Sequence, residues 1–217
     1  MKIFAVGRNY AQHNKAGNPA LYKTEPPVIF TKVDSSLLTH GKPFFVPDHL
    51  GRIVYGAGVV VRIGRLGKSI PERFAHRYYD AVTVGLDFTA CDLLQEARQK
   101  GQPWTICKDF DGAATIGEWL TVDDVTTRCP AETRGEWRLG DGLHFRLDRN
   151  GETVQQGCTA DLLYSADRLI AHVSRYCTLK TGDLLYTGTP DDTIPVSVGD
   201  RLEGWIEDEK VLEVRCK

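Results

Sequence analysis

Arg8, His13, Asp87, Cys91, Lys108 and Thr189 are the residues of this chain whose types and settings could do chemistry. Histidine suits proton transfer near neutrality, provided a partner fixes its tautomer. Glu25 serves His13 as that partner only if the intervening loop folds back. Asp87 closes an apolar run, where a carboxylate can accept from backbone N–H groups near the following helix. Lys108 is either a surface cation or a cleft cation that draws small acids. In Thr187-Gly188-Thr189-Pro190, glycine lets the backbone approach a ligand and the Thr189 hydroxyl can bind a carboxylate. Asp191 and Asp192 set two negative charges beside that turn. Cys91, near an expected helix start, is either an activated thiol or an inert buried one.

These positions need a sheet to hold them. Lys2–Val6, Val28–Phe30, Val59–Ile63, Asp80–Leu86 and Leu184–Tyr186 read as strands from their apolar, β-branched runs, with Val28–Phe30 short and buried. Val59–Ile63, Val82–Leu86 and Leu184–Tyr186 are expected in one mixed sheet covered on both faces. Thr89 is expected to cap a helix ending at Lys100, with Gly101 as its left-handed stop. Ser69 before Pro71 suggests another helix start. Asn150-Gly151 predicts a hairpin, and Leu162, Ala166, Leu169, Ile170 and Val173 predict a helix from Asp161 to about Tyr176. Arg201–Ile206 and Val211–Val214 complete the strands. The fold class expected is α+β, a mixed β-sheet roll or sandwich with a few helices. It forms one domain over 1–217, in which 1–45 is a candidate small N-terminal subdomain.

Composition removes several function classes. A 217-residue chain with 41% hydrophobic and 26% charged residues can bury a sizeable core. A net charge of −2 gives no signal for nucleic acid, and no apolar run reaches the roughly 18–20 residues of a membrane span. The six cysteines form no Cys-x-x-Cys pair, which suits reduced thiols in a cytoplasmic protein without a secretory signal.

Taken in order, Val6-Gly7-Arg8-Asn9-Tyr10 with His13, Gly85-Leu86-Asp87-Phe88-Thr89-Ala90-Cys91-Asp92, Pro103-Trp104 with Lys108, and Gly182–Pro190 resemble the fumarylacetoacetate hydrolase family in its short single-domain branch. The resemblance implies 2-oxo acids or acylpyruvates as substrates, with hydrolysis, decarboxylation or isomerisation as the reaction. It implies His13 as the water-activating base, Lys108 and Thr189 as further catalytic and substrate-binding groups, and Arg8 as a substrate contact. It also implies Mg²⁺ or Mn²⁺ on a Glu-x-Glu strand plus Asp87. Two residues at i and i+2 of a strand share a face, so such a pair can serve one ion. Here the pair reads Gly56-Ala57-Gly58, leaving Asp87 alone, so no metal is expected. Glutamates restored at 56 and 58 are expected to recover the ion if the backbone is unchanged. Ala16 replaces the glutamate that would orient His13, Cys91 an arginine, and Leu94 a glutamine. Asp191–Ile194 replaces a glycine-valine-glycine stretch.

Three readings follow: a degenerate, non-catalytic family member or pseudoenzyme subunit, an enzyme with a rebuilt site, and a metal-free binder of small organic acids. The resemblance further implies a homodimer.

Overall fold

The structure is a computed structural model that describes residues 1–10, 25–38, 41–128, 138–190 and 193–217. Along the chain run β1 (Ile3–Gly7), β2 (Val28–Lys32), β3 (Ile53–Ile63) and β4 (Tyr79–Ala90). Next come α1 (Cys91–Lys100), α2 (Thr105–Lys108), β5 (Ala114–Ile116), β6 (Leu120–Thr121) and α3 (Val122–Arg128). Then follow β7 (His144–Arg149), β8 (Glu152–Cys158), α4 (Ala166–Tyr176) and β9 (Leu184–Tyr186). The chain ends with β10 (Ile194–Pro195), β11 (Arg201–Ile206) and β12 (Glu209–Arg215).

Two sheets carry this order. The larger runs β2-β1-β9-β3-β4-β5, with β10 added to β3 and β6 to β4. The smaller runs β12-β11-β7-β8. The fold is therefore α+β with a mixed large sheet, in which β1 and β9 are parallel and the other pairs antiparallel. The three runs expected to share a sheet do so, in β3, β4 and β9. Val59, Val60, Val61, Val82 and Val84 are buried, because both faces of the long β3–β4 pair are covered. Both N-terminal strands, β1 and β2, belong to the larger sheet.

The sheets meet closely where Gly204 of β11 lies against Val84 of β4. Between the segments that pair with β9 and with β10, β3 loses its ladder partner on one edge. A buried N–H there needs another acceptor. Ala57 N–H finds it in Gln155 Oε1 of β8, at 2.8 Å.

Several local expectations change. Leu162 pairs with Tyr10 and Leu163 N–H bonds Asn9 O, so 162–163 are extended. Helix α4 therefore begins at Ala166, capped by Ser165, whose hydroxyl accepts from Arg168 N–H at 3.2 Å. The segment after Ser69 is a 3₁₀ turn, Glu72–Arg77, not an α-helix. Strand β2 is an edge strand with Val28 48% exposed, not a buried one. Among the described residues no helix is long and apolar enough to cross a membrane.

Candidate functional site

A cavity of about 280 Å³ opens where β1, β3, β4 and the turn after β9 converge, closed on one side by α1 and α2. Arg8, Gly56, Gly58, Asp87, Lys108 and Thr189 all line it, so residues separated by most of the chain meet in one place. His13, Ala16 and the Asp191–Asp192 pair lie outside the described residues.

Arg8 follows β1 in a left-handed backbone conformation, φ 58°. A non-glycine residue holds that geometry only when its surroundings enforce it. Asn9, fully buried, does so: Nδ2 donates to Tyr164 O (3.0 Å) and Thr187 O (2.8 Å), and Oδ1 accepts from Tyr164 N–H (2.8 Å). Through Asn9 the β1 end is tied to the β9 turn that bears Thr189.

Asp87 is not a carboxylate satisfied by backbone N–H groups. Its Oδ2 lies 2.7 Å from Lys108 Nζ and its Oδ1 lies 2.9 Å from Lys32 Nζ. Burial alone would raise this carboxyl, but Lys108 and then Lys32 hold it below the usual carboxylate range. The Lys32 side chain has no exposed surface, and its ammonium also donates to Ala113 O (3.0 Å), Phe88 O (3.4 Å) and Lys108 O. Burial pulls its pKa down, and Asp87 opposes that. Lys32 thus fixes both the charge of Asp87 and the backbone from which Lys108 projects. Sequence reading passed over it, although a lysine closing the run Val28-Ile29-Phe30-Thr31 was a usable signal.

Lys108 is a cavity residue with 13% of its side chain exposed, not a surface lysine. It ends the single turn of α2, and its Nζ also donates to Thr89 Oγ1 at 2.7 Å. That contact corrects the expected cap. Strand β4 continues through Thr89 to Ala90, because Cys91 N–H bonds Arg52 O, and α1 starts without a side-chain cap. Gly101 does end α1, with φ 64°. Cys91 and Leu94 line the cavity, and Arg52 donates to Cys91 Sγ at 3.5 Å. Glu25 is exposed, and its carbonyl accepts from Tyr164 OH.

The glycines of β3 face the turn after β9. Thr187 N–H and Oγ1 both bond Val59 O, at 3.0 and 2.9 Å, drawing the turn across the unpaired stretch of β3. A Cβ on Gly58 would fall 1.9 Å from Gly188 O, and one on Gly56 would fall 2.8 Å from Thr189 Cγ2. Thr189 Oγ1 is buried without a partner among the described residues.

These residues do not fit the divalent ion that the sequence resemblance implies. A hard cation wants several oxygen ligands. Each Asp87 oxygen already faces an ammonium group, the glycines contribute no side chain, and the described residues contain no group of three His, Cys, Asp or Glu able to hold a metal. Glutamate at 58 cannot simply be restored, since its Cβ would collide with backbone. The expected rescue of the ion at Gly56 and Gly58 is corrected on that ground. What remains is two ammonium groups sharing one carboxylate beside a free hydroxyl, an arrangement suited to an anion.

Comparison with known proteins agrees with the fold. The family described as fumarylacetoacetate (FAA) hydrolase C-terminal matches residues 2–216. Oxaloacetate tautomerase FAHD1, mitochondrial, of Arabidopsis thaliana is 35% identical over 205 residues, covering 94% of this chain and 86% of the relative. Oxaloacetate tautomerase YcgM of Escherichia coli is 32% identical over 201 residues, covering 93% and 86%. The crystal structure of fumarylpyruvate hydrolase from Pseudomonas aeruginosa in complex with Mn²⁺ and pyruvate superposes with a TM-score of 0.84 at 31% identity, covering all of this chain and 89% of that one. With nearly its whole length matched in sequence and in fold, this chain belongs to the fumarylacetoacetate hydrolase family.

Proposed function

We propose that this chain binds a small 2-oxo acid in the cavity without a divalent ion, and that metal-dependent turnover of such acids is reduced to near background. The observation that carries the reading is the Lys32–Asp87–Lys108 arrangement, in which two cations share one carboxylate at 2.9 and 2.7 Å. One positive charge is left over to meet a ligand carboxylate. Lys108 Nζ and Thr189 Oγ1 bind that carboxylate, and Arg8 stands at the β1 end. Relatives named for oxaloacetate and fumarylpyruvate, one of them holding pyruvate, support 2-oxo acids as the ligand class. The family's Mn²⁺ would stabilise a developing enolate or oxyanion, worth several kcal/mol of barrier, and the described residues offer it no ligand set.

Calorimetry with oxalate and pyruvate is expected to give the same weak affinity in EDTA and in Mn²⁺. An acylpyruvate and oxaloacetate panel is expected to show no Mn²⁺-dependent turnover. Clear Mn²⁺-dependent turnover that disappears on His13→Ala would overturn the proposal.

A further inference from the structure

Besides Arg8, two cations line the cavity from different elements, and each lies over an aromatic ring. Lys108 Nζ lies 4.8 Å from the centre of the Phe30 ring, and Arg98 Cζ of α1 lies 5.0 Å from the centre of Trp104. All four residues line the same cavity. A guanidinium stacked on an indole is held by its face and keeps its N–H edge for a planar acceptor such as a carboxylate. The acids on α1 are committed elsewhere: Glu96 pairs with Lys100, and Asp92 with Arg52 at 3.5 Å. Among the described residues Arg98 pairs with no acid. Leu94 and Trp104 supply apolar wall on the same side of the cavity, and Leu94 stands where the family resemblance expects glutamine. The cavity of about 280 Å³ is lined by Lys108, Thr189 and Arg98 alike.

We infer that Arg98 is the residue of this chain that reads the second carboxylate of a 2-oxo dicarboxylic acid, across an apolar middle. The 2-oxo carboxylate meets Lys108 and Thr189, the carbon chain lies against Leu94 and Trp104, and the distal carboxylate takes the free edge of Arg98. The inference rests on the organic-acid reading of the pocket and adds to it the second anchor and the length of the ligand. A monocarboxylate would use Lys108 and leave Arg98 idle.

The test is a matched pair of probes, 2-oxoadipate and 2-oxohexanoate, which share a chain length and differ in the distal carboxylate. Dissociation constants would be measured by calorimetry in EDTA for the wild type, Arg98→Ala and Arg98→Lys. The wild type is expected to favour 2-oxoadipate about tenfold, the scale of one charge-assisted guanidinium contact at a half-open site. Arg98→Ala should erase that preference while leaving 2-oxohexanoate within twofold, and Arg98→Lys should keep part of it. Arg98 is exposed, so the variants keep the fold, and their melting temperatures check this. A wild-type ratio near one, or an Arg98→Ala loss equal for both acids, overturns the inference and leaves the organic-acid reading standing. Failure of both acids to bind at millimolar concentration overturns both.

Discussion

Asp87 is the residue on which the site turns. Taking two lysines and a carboxylate out of bulk water is costly, and the cost is met by mutual attraction plus the carbonyls around Lys32. Removing the carboxylate leaves a buried ammonium without its counter-charge. Asp87→Asn is therefore expected to lower unfolding free energy by about 3 kcal/mol in urea titrations. The double variant Lys32→Met/Asp87→Asn removes the stranded charge as well, so it should be more stable than Asp87→Asn alone. Additive losses in the double variant would show that the Lys32–Asp87 contact is not an energetic unit.

At the scale of elements, the crossing of the β9 turn over β3 decides what the cavity can hold. Gly58 faces backbone and Gly56 faces a threonine side chain, and these two neighbours differ in how far they can yield. Gly58→Ala must displace Gly188 O and with it the hydrogen bonds of Thr187 to Val59. We expect a loss of about 3 kcal/mol in chemical denaturation, at the upper end for overpacking. Gly56→Ala crowds the whole Thr189 side chain, with Cγ2 at 2.8 Å and Cβ and Oγ1 at 3.0 Å, but no backbone oxygen, and should cost less than Gly58→Ala. Equal losses would mean that the turn moves as freely as a side chain.

For the molecule as a whole, one acid outside the cavity sets part of the pH response. Asp167, in the first turn of α4, has a side chain 8% exposed, and its Oδ1 has no hydrogen-bond partner among the described residues. Burial first, then Glu72 and Asp141, push its pKa from 3.8 up to about 6, against the opposing pull of Arg138. Between those values the folded chain holds a proton that the unfolded chain has released. Stability from this group is fully present below the unfolded value and falls as pH rises through about 6. The change is about 2–3 kcal/mol. Asp167→Asn is expected to be the more stable protein at pH 7 and to lose this component, read as the wild-type minus variant difference in urea midpoint from pH 4 to 7. A difference that does not change with pH would refute the assignment.

The sequence by itself determined the strands that form the sheet, the Asn150-Gly151 hairpin and the family, because those signals are local or lie in ordered motifs. It also showed that Gly56 and Gly58 carry no ligand. Local periodicity placed the α4 helix but overran its start, since only the pairing of Leu162 with Tyr10 pulls that stretch into an extended form. Tertiary structure alone decided the charge balance and the space of the site. Lys32 reaches Asp87 across 55 residues of chain, which no spacing rule anticipates. The contact between Gly58 and Gly188 is a close approach of two backbones, and a glycine in sequence does not reveal what it has let near. The bare strand that reads as a missing metal site is, in space, filled by the turn that presents Thr189.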